Sequence, residues 1–483
     1  MRNGILIYLA IFLLSCQPSA VYYPDAICIE NVTVIDPIDG EQAGRTVIIE
    51  GDKIIQVSPT EDLSLDEKNT IIDGSGKYLM PGLWDAHVHF AYLEELAPSM
   101  FNLFLAYGIT SVRDTGGKID FVKKWKAAAS ANPTEAPRVM IAGPLLDGVP
   151  TVYDGSSPTN PPLGVGSQTP EDVVAKVKEL DAQGVDLLKA YEMLSPDQFR
   201  AILAEAKARD LLVTGHVPLS MDVISAAEAG LNSMEHIRNL EMSMAGNWEE
   251  LLEQRRQLLA AGRTDMGGIL RSRIHAAQRK TAIEAIDPDQ ETRVLEALAE
   301  HQVWQTPTLT LIRAGLYLPF EREDWKQSMT YLPPAMEEQW LEGIASYTAT
   351  GMNEDQKAYR NWCFAEISKI HEAGIPIMAG TDCPIFFLTP GLSLHEELWN
   401  LEQAGIPTAE VLKTGTINPA RYFGMEEELG RVQEGYWADL LLLDANPLEE
   451  IRNTQRINAV IKQGKLYDRA ALDEILERLD RGQ

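Results

Sequence analysis

The chain has 483 residues, 45% hydrophobic and 23% charged, which is too long for one small domain and enough for a large domain with a satellite. That balance argues against a disordered chain and against a multi-span membrane protein. Asp and Glu number 71 against 42 Lys and Arg, a net charge of -29, which argues for solubility and against a nucleic-acid partner, because phosphates are neutralised by Lys and Arg.

Arg2 is followed by an apolar run from Ile5 to Leu14. The run is too short to span a bilayer as a stable anchor and reads as the hydrophobic core of a signal peptide. Leu13-Leu14-Ser15-Cys16 resembles a bacterial lipoprotein lipobox. That resemblance implies a signal peptide of residues 1–15, lipidation of the Cys16 thiol, and export to the cell envelope, where the lipid is the chain's one contact with a membrane. Gln17 in place of Asp points to the outer membrane if the source is Gram-negative. An ordinary signal peptide with an incidental Cys is the alternative. Residues 16–25 read as a tether. Cys28, Cys363 and Cys383 have no C-x-x-C spacing and predict no disulfide framework.

From residue 26 to 81 the pattern is short β segments separated by turns such as Asp39-Gly40 and Gly51-Asp52. The texture returns near the other end, in Leu440-Leu441-Leu442-Leu443 and in the apolar run 457–461 before Gly464. These segments predict a small β-sandwich domain assembled from 26–81 and 427–468, with a C-terminal helix over 469–483.

Between them, 82–426 alternates strands and helices. Thr169-Pro170 opens a helix with Pro at its first position, Val173, Val174, Val177 and Leu180 recur at helical spacing, and Gly184 ends it. Ser195-Pro196-Asp197 opens the next, and Asp222 opens a third. Strands fit 83–85, 110–113, 138–142, 185–189, 211–214, the residues before His236, 303–308 and 375–379. Eight strands in successive βα units predict an α/β fold, a (β/α)8 TIM-type barrel. The largely helical stretches 240–300 and 312–372 exceed a minimal barrel and read as partial lids.

The candidate chemistry lies at predicted strand ends. His87 and His89 end the first strand, Lys189 the fourth, His216 the fifth, His236 the sixth and Asp382 the eighth. That is the barrel face on which active sites are built. His87 and His89, two apart on a strand, point to one side and make half of a metal site. Tyr191 shares the side of Lys189 and is either a substrate contact or a packing aromatic at the rim. His275, His301 and His371 read as structural or solvated. His395 and Cys383 carry little weight, and Cys383 reads as a small packing residue.

Tyr78-Leu79-Met80-Pro81-Gly82-Leu83-Trp84-Asp85-Ala86, leading into His87-Val88-His89, resembles the signature of the amidohydrolase superfamily. Gly380-Thr381-Asp382, Asn418-Pro419-Ala420 and Gly435-Tyr436-Trp437-Ala438-Asp439-Leu440 extend the resemblance over most of the chain. The nearest subset is similar to the imidazolonepropionase-related enzymes that include binuclear Xaa-Pro dipeptidases. The resemblance implies a metal-dependent hydrolase of amide bonds, with dipeptides or N-acyl amino acids as substrates and metal-activated hydroxide as nucleophile. It implies two divalent ions, zinc by default, and a carbon dioxide-derived carbamate on Lys189 that bridges them. His87, His89, Lys189 and Asp382 would hold one ion, and Lys189, His216 and His236 the other, with Asp382 moving the proton.

Other readings stay open. A mononuclear cyclic-amide hydrolase of the imidazolonepropionase type is disfavoured by Lys189, and a deaminase by Leu219, which stands where such enzymes carry a Glu. A lactone or phosphotriester hydrolase fits the same ligands. A solute-binding lipoprotein is the non-enzyme reading. The partner expected is a small molecule, and a homo-oligomer is left open.

Overall fold

The computed structural model describes residues 20–157 and 159–480. The signal peptide, Cys16 and residues 481–483 lie outside the described residues. Five strands open the chain: β1 (Ile27–Asp36), β2 (Gly40–Glu50), β3 (Lys53–Pro59), β4 (Thr70–Asp73) and β5 (Tyr78–Pro81). Nine follow: β6 (Leu83–Val88), β7 (Ile109–Asp114), β8 (Arg138–Ile141), β9 (Leu145–Asp147), β10 (Gly164–Gly166), β11 (Leu187–Ala190), β12 (Leu212–Gly215), β13 (Ser233–Glu235) and β14 (Trp304–Thr306). The last three are β15 (Leu440–Leu443), β16 (Ile457–Lys462) and β17 (Lys465–Asp468).

Strands from both ends of the chain make one mixed sheet in the order β17-β16-β15-β5-β1-β2-β3, with β4 also paired to β1. The β2–β3 hairpin turns at Gly51, whose φ of 58° costs a glycine nothing. Alternation in β1 sends Val32 and Val34 inward; they share an apolar cluster with Val47 of β2, Ile54 of β3, Leu440 and Leu442 of β15, and Ile461 of β16. Strands distant in the sheet order thus bury one common face, so the sheet curls over itself. Arg431 ties the two chain ends further by donating to Asp36 at 3.1 and 3.2 Å. Lys462, buried, is paired with Asp439 at 3.0 Å to each carboxylate oxygen.

The middle of the chain is α/β, with all-parallel pairing. β6, β7 and β8 form one sheet, and β10-β9-β11-β12-β13-β14 another. The intervening helices carry the expected caps. Thr169 and Asp172 form a capping box before Pro170–Ala182, and Ser195 and Gln198 another before Pro196–Lys207. Each N-cap of this kind contributes about 1 kcal/mol. Val173, Val177 and Leu180 are the buried face of the first helix.

Three differences from the sequence expectation stand out. The expected strand at 375–379 is no regular strand: it makes one isolated bridge, Ile377 to Gln305. Pro376 lacks the N–H that a ladder needs. The segment still links the two parallel sheets, because Met378 N donates to Gln305 O and Ala86 N donates to Ala379 O, both at 2.9 Å. The pair β9 and β10, three residues each, was not foreseen, since no helix separates them from β8 or from each other. The strand ends also shift, by one to three residues.

The stretch 240–300 holds helices Trp248–Ala261, Gly267–Glu284 and Pro288–Glu300, and 312–372 holds Pro334–Thr350 and Glu354–Glu372 among others. Among the described residues no helix is long and apolar enough to cross a membrane. Cys28, Cys363 and Cys383 are free and buried.

Candidate active site

The structure brings the six metal-type residues of the sequence into one place. His89, Lys189, His216, His236 and Asp382 line a small cavity of about 20 Å³ together with Tyr191 and Arg238. His87 stands behind it. Its Nε2 lies 3.1 Å from Asp382 Oδ1 and 3.2 Å from Lys189 Nζ. His89 Nε2 is also 3.1 Å from Asp382 Oδ1, and His236 Nε2 is 3.7 Å from Oδ2. Donor atoms of His87, His89 and Asp382 all lie within 4.8 Å of one another. The His216 ring sits 4.9 Å from that of His236, centroid to centroid.

Local backbone explains why these residue types stand where they do. Gly380 has no room for a Cβ, which would meet His87 N at 2.9 Å and Thr306 Cγ2 at 2.6 Å. Thr381 N and Oγ1 donate to Asp85 at 3.0 and 2.7 Å, which pins the loop carrying Asp382 to β6. Asp114, at the end of β7, accepts from Phe90 N and Gly116 N at 2.8 and 3.0 Å and holds the exit of His89. His236 (φ 63°) and Asp382 (φ 67°) both adopt the left-handed region. For non-glycine residues this costs about 1–3 kcal/mol each and persists because the neighbours fix it.

Each of the four histidines of the centre has its Nδ1 occupied from outside it. His87 Nδ1 meets Glu235 Oε2 at 2.5 Å, His89 Nδ1 meets Gly116 O at 3.0 Å, His216 Nδ1 meets Glu192 Oε1 at 2.6 Å, and His236 Nδ1 meets Thr308 Oγ1 at 2.7 Å. The four Nε2 atoms therefore turn inward. That is the arrangement by which metal-ligating imidazoles are oriented and their tautomer set. Glu235 is in turn held by Arg113 at 2.9 Å and by Thr214 Oγ1; Glu192 is held by Arg238 at 3.0 Å and His275 at 2.7 Å.

Burial sets the protonation states. It lowers the Lys189 ammonium to about 8, against the pull of Glu235 and Asp382. It lowers His216 to about 3 and His236 well below its ordinary value, so both rings are neutral. Burial alone would raise Glu192 and Glu235, but the Arg238 and Arg113 guanidiniums hold each carboxyl well below the usual range. His216 and His236 are thus neutral imidazoles, and the carboxylates behind His216 and His87 are ionised. His216 Nε2 is buried with no hydrogen-bond partner among the described residues. An acceptor lone pair left bare beside three other imidazoles and a carboxylate fits a divalent cation. Lys189 forms no ion pair among the described residues; its neighbours at bonding distance are His87 Nε2 at 3.2 Å and Thr115 Oγ1 at 3.3 Å.

Tyr191 packs its ring 4.4 Å from that of His216 and accepts from Arg271 at 3.2 Å. Sequence reasoning missed Glu192, Glu235, Arg113, Arg238 and Arg271. His275, read from the sequence as structural or solvated, is buried and bonded to Glu192 behind the site. One available signal was the spacing of Arg271, His275 and Arg279, i, i+4, i+8 on one helix face. His395 is buried between Tyr107 O and Thr454 Oγ1, away from the cavity. Cys383 is buried beside Asp382, and its thiol is pushed well above its ordinary value by burial.

Residues 78–467 match the amidohydrolase family. The chain belongs to that family. This amidohydrolase is a hydrolase of carbon–nitrogen bonds. It is 25% identical to the ochratoxinase of Aspergillus niger over 489 aligned positions, covering 89% of this chain and 84% of the relative. Among solved structures it superposes on a bottromycin amidohydrolase with a TM-score of 0.70, 21% identity and 95% and 91% of the two chains covered. A Xaa-Pro dipeptidase crystallised with methionine in its active site gives 0.65, 18% identity and 92% and 100% coverage. At these identities the two structures share a fold with this amidohydrolase.

Proposed function

We propose that this amidohydrolase cleaves amide bonds of dipeptides or N-acyl amino acids at a site holding two divalent cations, zinc by default, with Lys189 carboxylated. The observation that carries the reading is a set of four inward Nε2 atoms, each with its Nδ1 engaged, three of them within 3.7 Å of Asp382 and the fourth bare in the same cavity, beside a buried lysine with no ion pair among the described residues. His87, His89, Lys189 and Asp382 would hold one cation, and Lys189, His216 and His236 the other. When bound, such cations acidify a water and polarise the scissile carbonyl.

The chain's own residues do the rest. Glu235, Glu192, Thr308 and the Gly116 carbonyl fix the four rings. Asp382 takes the proton of the attacking water at Oδ2, the oxygen not crowded by His87 and His89, and delivers it to the leaving nitrogen. Leu219 is buried and apolar where a deaminase would need an acid, which disfavours deamination. The two parallel sheets and the links through 375–379 support reading 82–426 as a (β/α)8 barrel. The curled mixed sheet supports a small β-sandwich domain from 26–81 and 427–468. Export and lipidation at Cys16 belong to the same proposal, and loss of lipid labelling in Cys16→Ala tests them.

The test of the activity uses the chain from Gln17 onward, loaded with zinc in bicarbonate. It is incubated with pooled dipeptides and N-acyl amino acids and read by mass spectrometry, with Lys189→Ala beside it. Cleavage that disappears in the variant is expected. Absence of cleavage with metal bound would overturn the substrate class.

A further inference from the structure

The metal-type cavity adjoins a wider one of about 500 Å³, and His236, Arg238 and Ile385 line both. Helices of the two inserted stretches form much of its wall. Gly267–Glu284 presents Arg271, His275 and Arg279 from one face, and Glu354–Glu372 adds Tyr359 and Arg360. In a chain of net charge -29, this wall carries five cations, Arg238, Arg271, Arg279, Lys280 and Arg360, against one carboxylate, Asp355.

Most of these cations are already engaged. Arg238 is bonded to Glu192, Lys280 is paired with Asp355 at 3.0 Å, and Arg279 stacks over Tyr359 at 4.1 Å with Glu241 4.0 Å away. Arg360 donates to the Leu311 and Ile312 carbonyls. Arg271 differs. It is half-buried, forms no ion pair among the described residues, and meets only two tyrosines: the Tyr191 hydroxyl at 3.2 Å, and Tyr153, to which it also hydrogen-bonds and whose ring lies 5.7 Å away. A half-buried guanidinium whose partners are neutral keeps free donors in a planar fork that matches a carboxylate. Its position is specific as well, because Tyr191, which it holds, lies against the His216 ring at 4.4 Å.

We propose that Arg271 binds a carboxylate of the substrate, and that this contact selects amides whose leaving amine carries a free carboxylate. The proposal rests on the amide-hydrolase reading above and names the residue that sets its substrate class. Arg271 reaches this place only because the inserted helix delivers it, so the insert is part of the substrate site.

The zinc-loaded chain would be assayed for acetate release from a set of N-acetyl amino acids and their carboxamide counterparts. Wild type, Arg271→Met and Arg271→Lys would run in parallel. Thermal shift by the same compounds would be measured as a readout independent of turnover. The expected result is that wild type prefers the carboxylates by about 10- to 150-fold in kcat/KM, the range of a hydrogen bond to a charged group. Arg271→Met should lose that preference through KM with kcat little changed, and Arg271→Lys should recover part of it. Equal cleavage of acids and carboxamides by wild type, or an unchanged KM in Arg271→Met, would overturn the proposal and leave amide hydrolysis standing. No acetate release, with an Arg271-dependent thermal shift by the acids alone, would support the carboxylate site and overturn the amide reading. Neither release nor shift would overturn both.

Discussion

Glu192 accepts a 2.6 Å hydrogen bond from His216 Nδ1 and leaves His216 Nε2 bare in the cavity. Glu192 is ionised because Arg238 stands 3.0 Å from the same oxygen. The pair fixes both the tautomer and the ring orientation of His216. Glu192→Gln keeps the volume and removes the charge. Metal affinity, measured by competition with a chelator, should fall by about 10- to 100-fold. Unchanged affinity would remove Glu192 from the support of the site.

Lys189 sits buried between His87 and Thr115 and forms no ion pair among the described residues. Lys189→Ala should lose at least one bound metal ion and most of the activity. In wild type, 13C-labelled bicarbonate should give a carbamate resonance that the variant lacks. Normal metal content and turnover in Lys189→Ala would sink the carbamate.

In the proposed reaction Asp382 moves the proton. Asp382→Asn should lower kcat by about 10²- to 10⁴-fold, the range for a positioned acid–base, while substrate KM changes little. Steady-state kinetics on whichever amide proves best would decide it, and an unchanged kcat would assign the proton to another group.

Stability outside the site should respond most at the Lys462–Asp439 pair, which is buried and links β16 to the segment entering β15. Asp439→Ala strands a buried ammonium and removes the acceptor of Gln463 N. A loss of about 3–5 kcal/mol is expected in denaturant unfolding. A loss below 1 kcal/mol would show that water reaches Lys462.

His395 makes stability fall in mild acid. Burial lowers its pKa from 6.5 to about 4 in the folded chain. Between these values the unfolded chain binds the proton and the folded one does not, so stability is lost as pH falls from 6.5 towards 4. The contribution is about 2 kcal/mol between pH 7 and pH 5. His395→Asn should lose less stability over that interval than wild type in paired urea melts. Parallel slopes would exclude His395 as the source.

Much of this was legible without coordinates. A strand's two-residue period put His87 and His89 on one side, and the Pro and Ser or Thr caps marked helices at Pro170–Ala182 and Pro196–Lys207. The segment 375–379 was misjudged because its apolar run looks like a strand while Pro376 interrupts the ladder. β9 and β10, three residues each, follow no helix of the βα pattern that exposed the equally short β13 and β14.

The sequence by itself put His87, His89, Lys189, His216, His236 and Asp382 at predicted strand ends, a local fact of spacing, and the family resemblance implied that they are ligands. Only the tertiary structure decided what stands behind and before them. Glu192, Glu235 and Arg113 are ordinary charged residues in the sequence. They become supports of the site because folding buries them against imidazoles from other strands, where a charge survives only with a partner. Arg271 lies 55 residues from His216 in the chain and one tyrosine away in space. No local pattern encodes that proximity, because it arises from the packing of an inserted helix over the ends of the parallel strands.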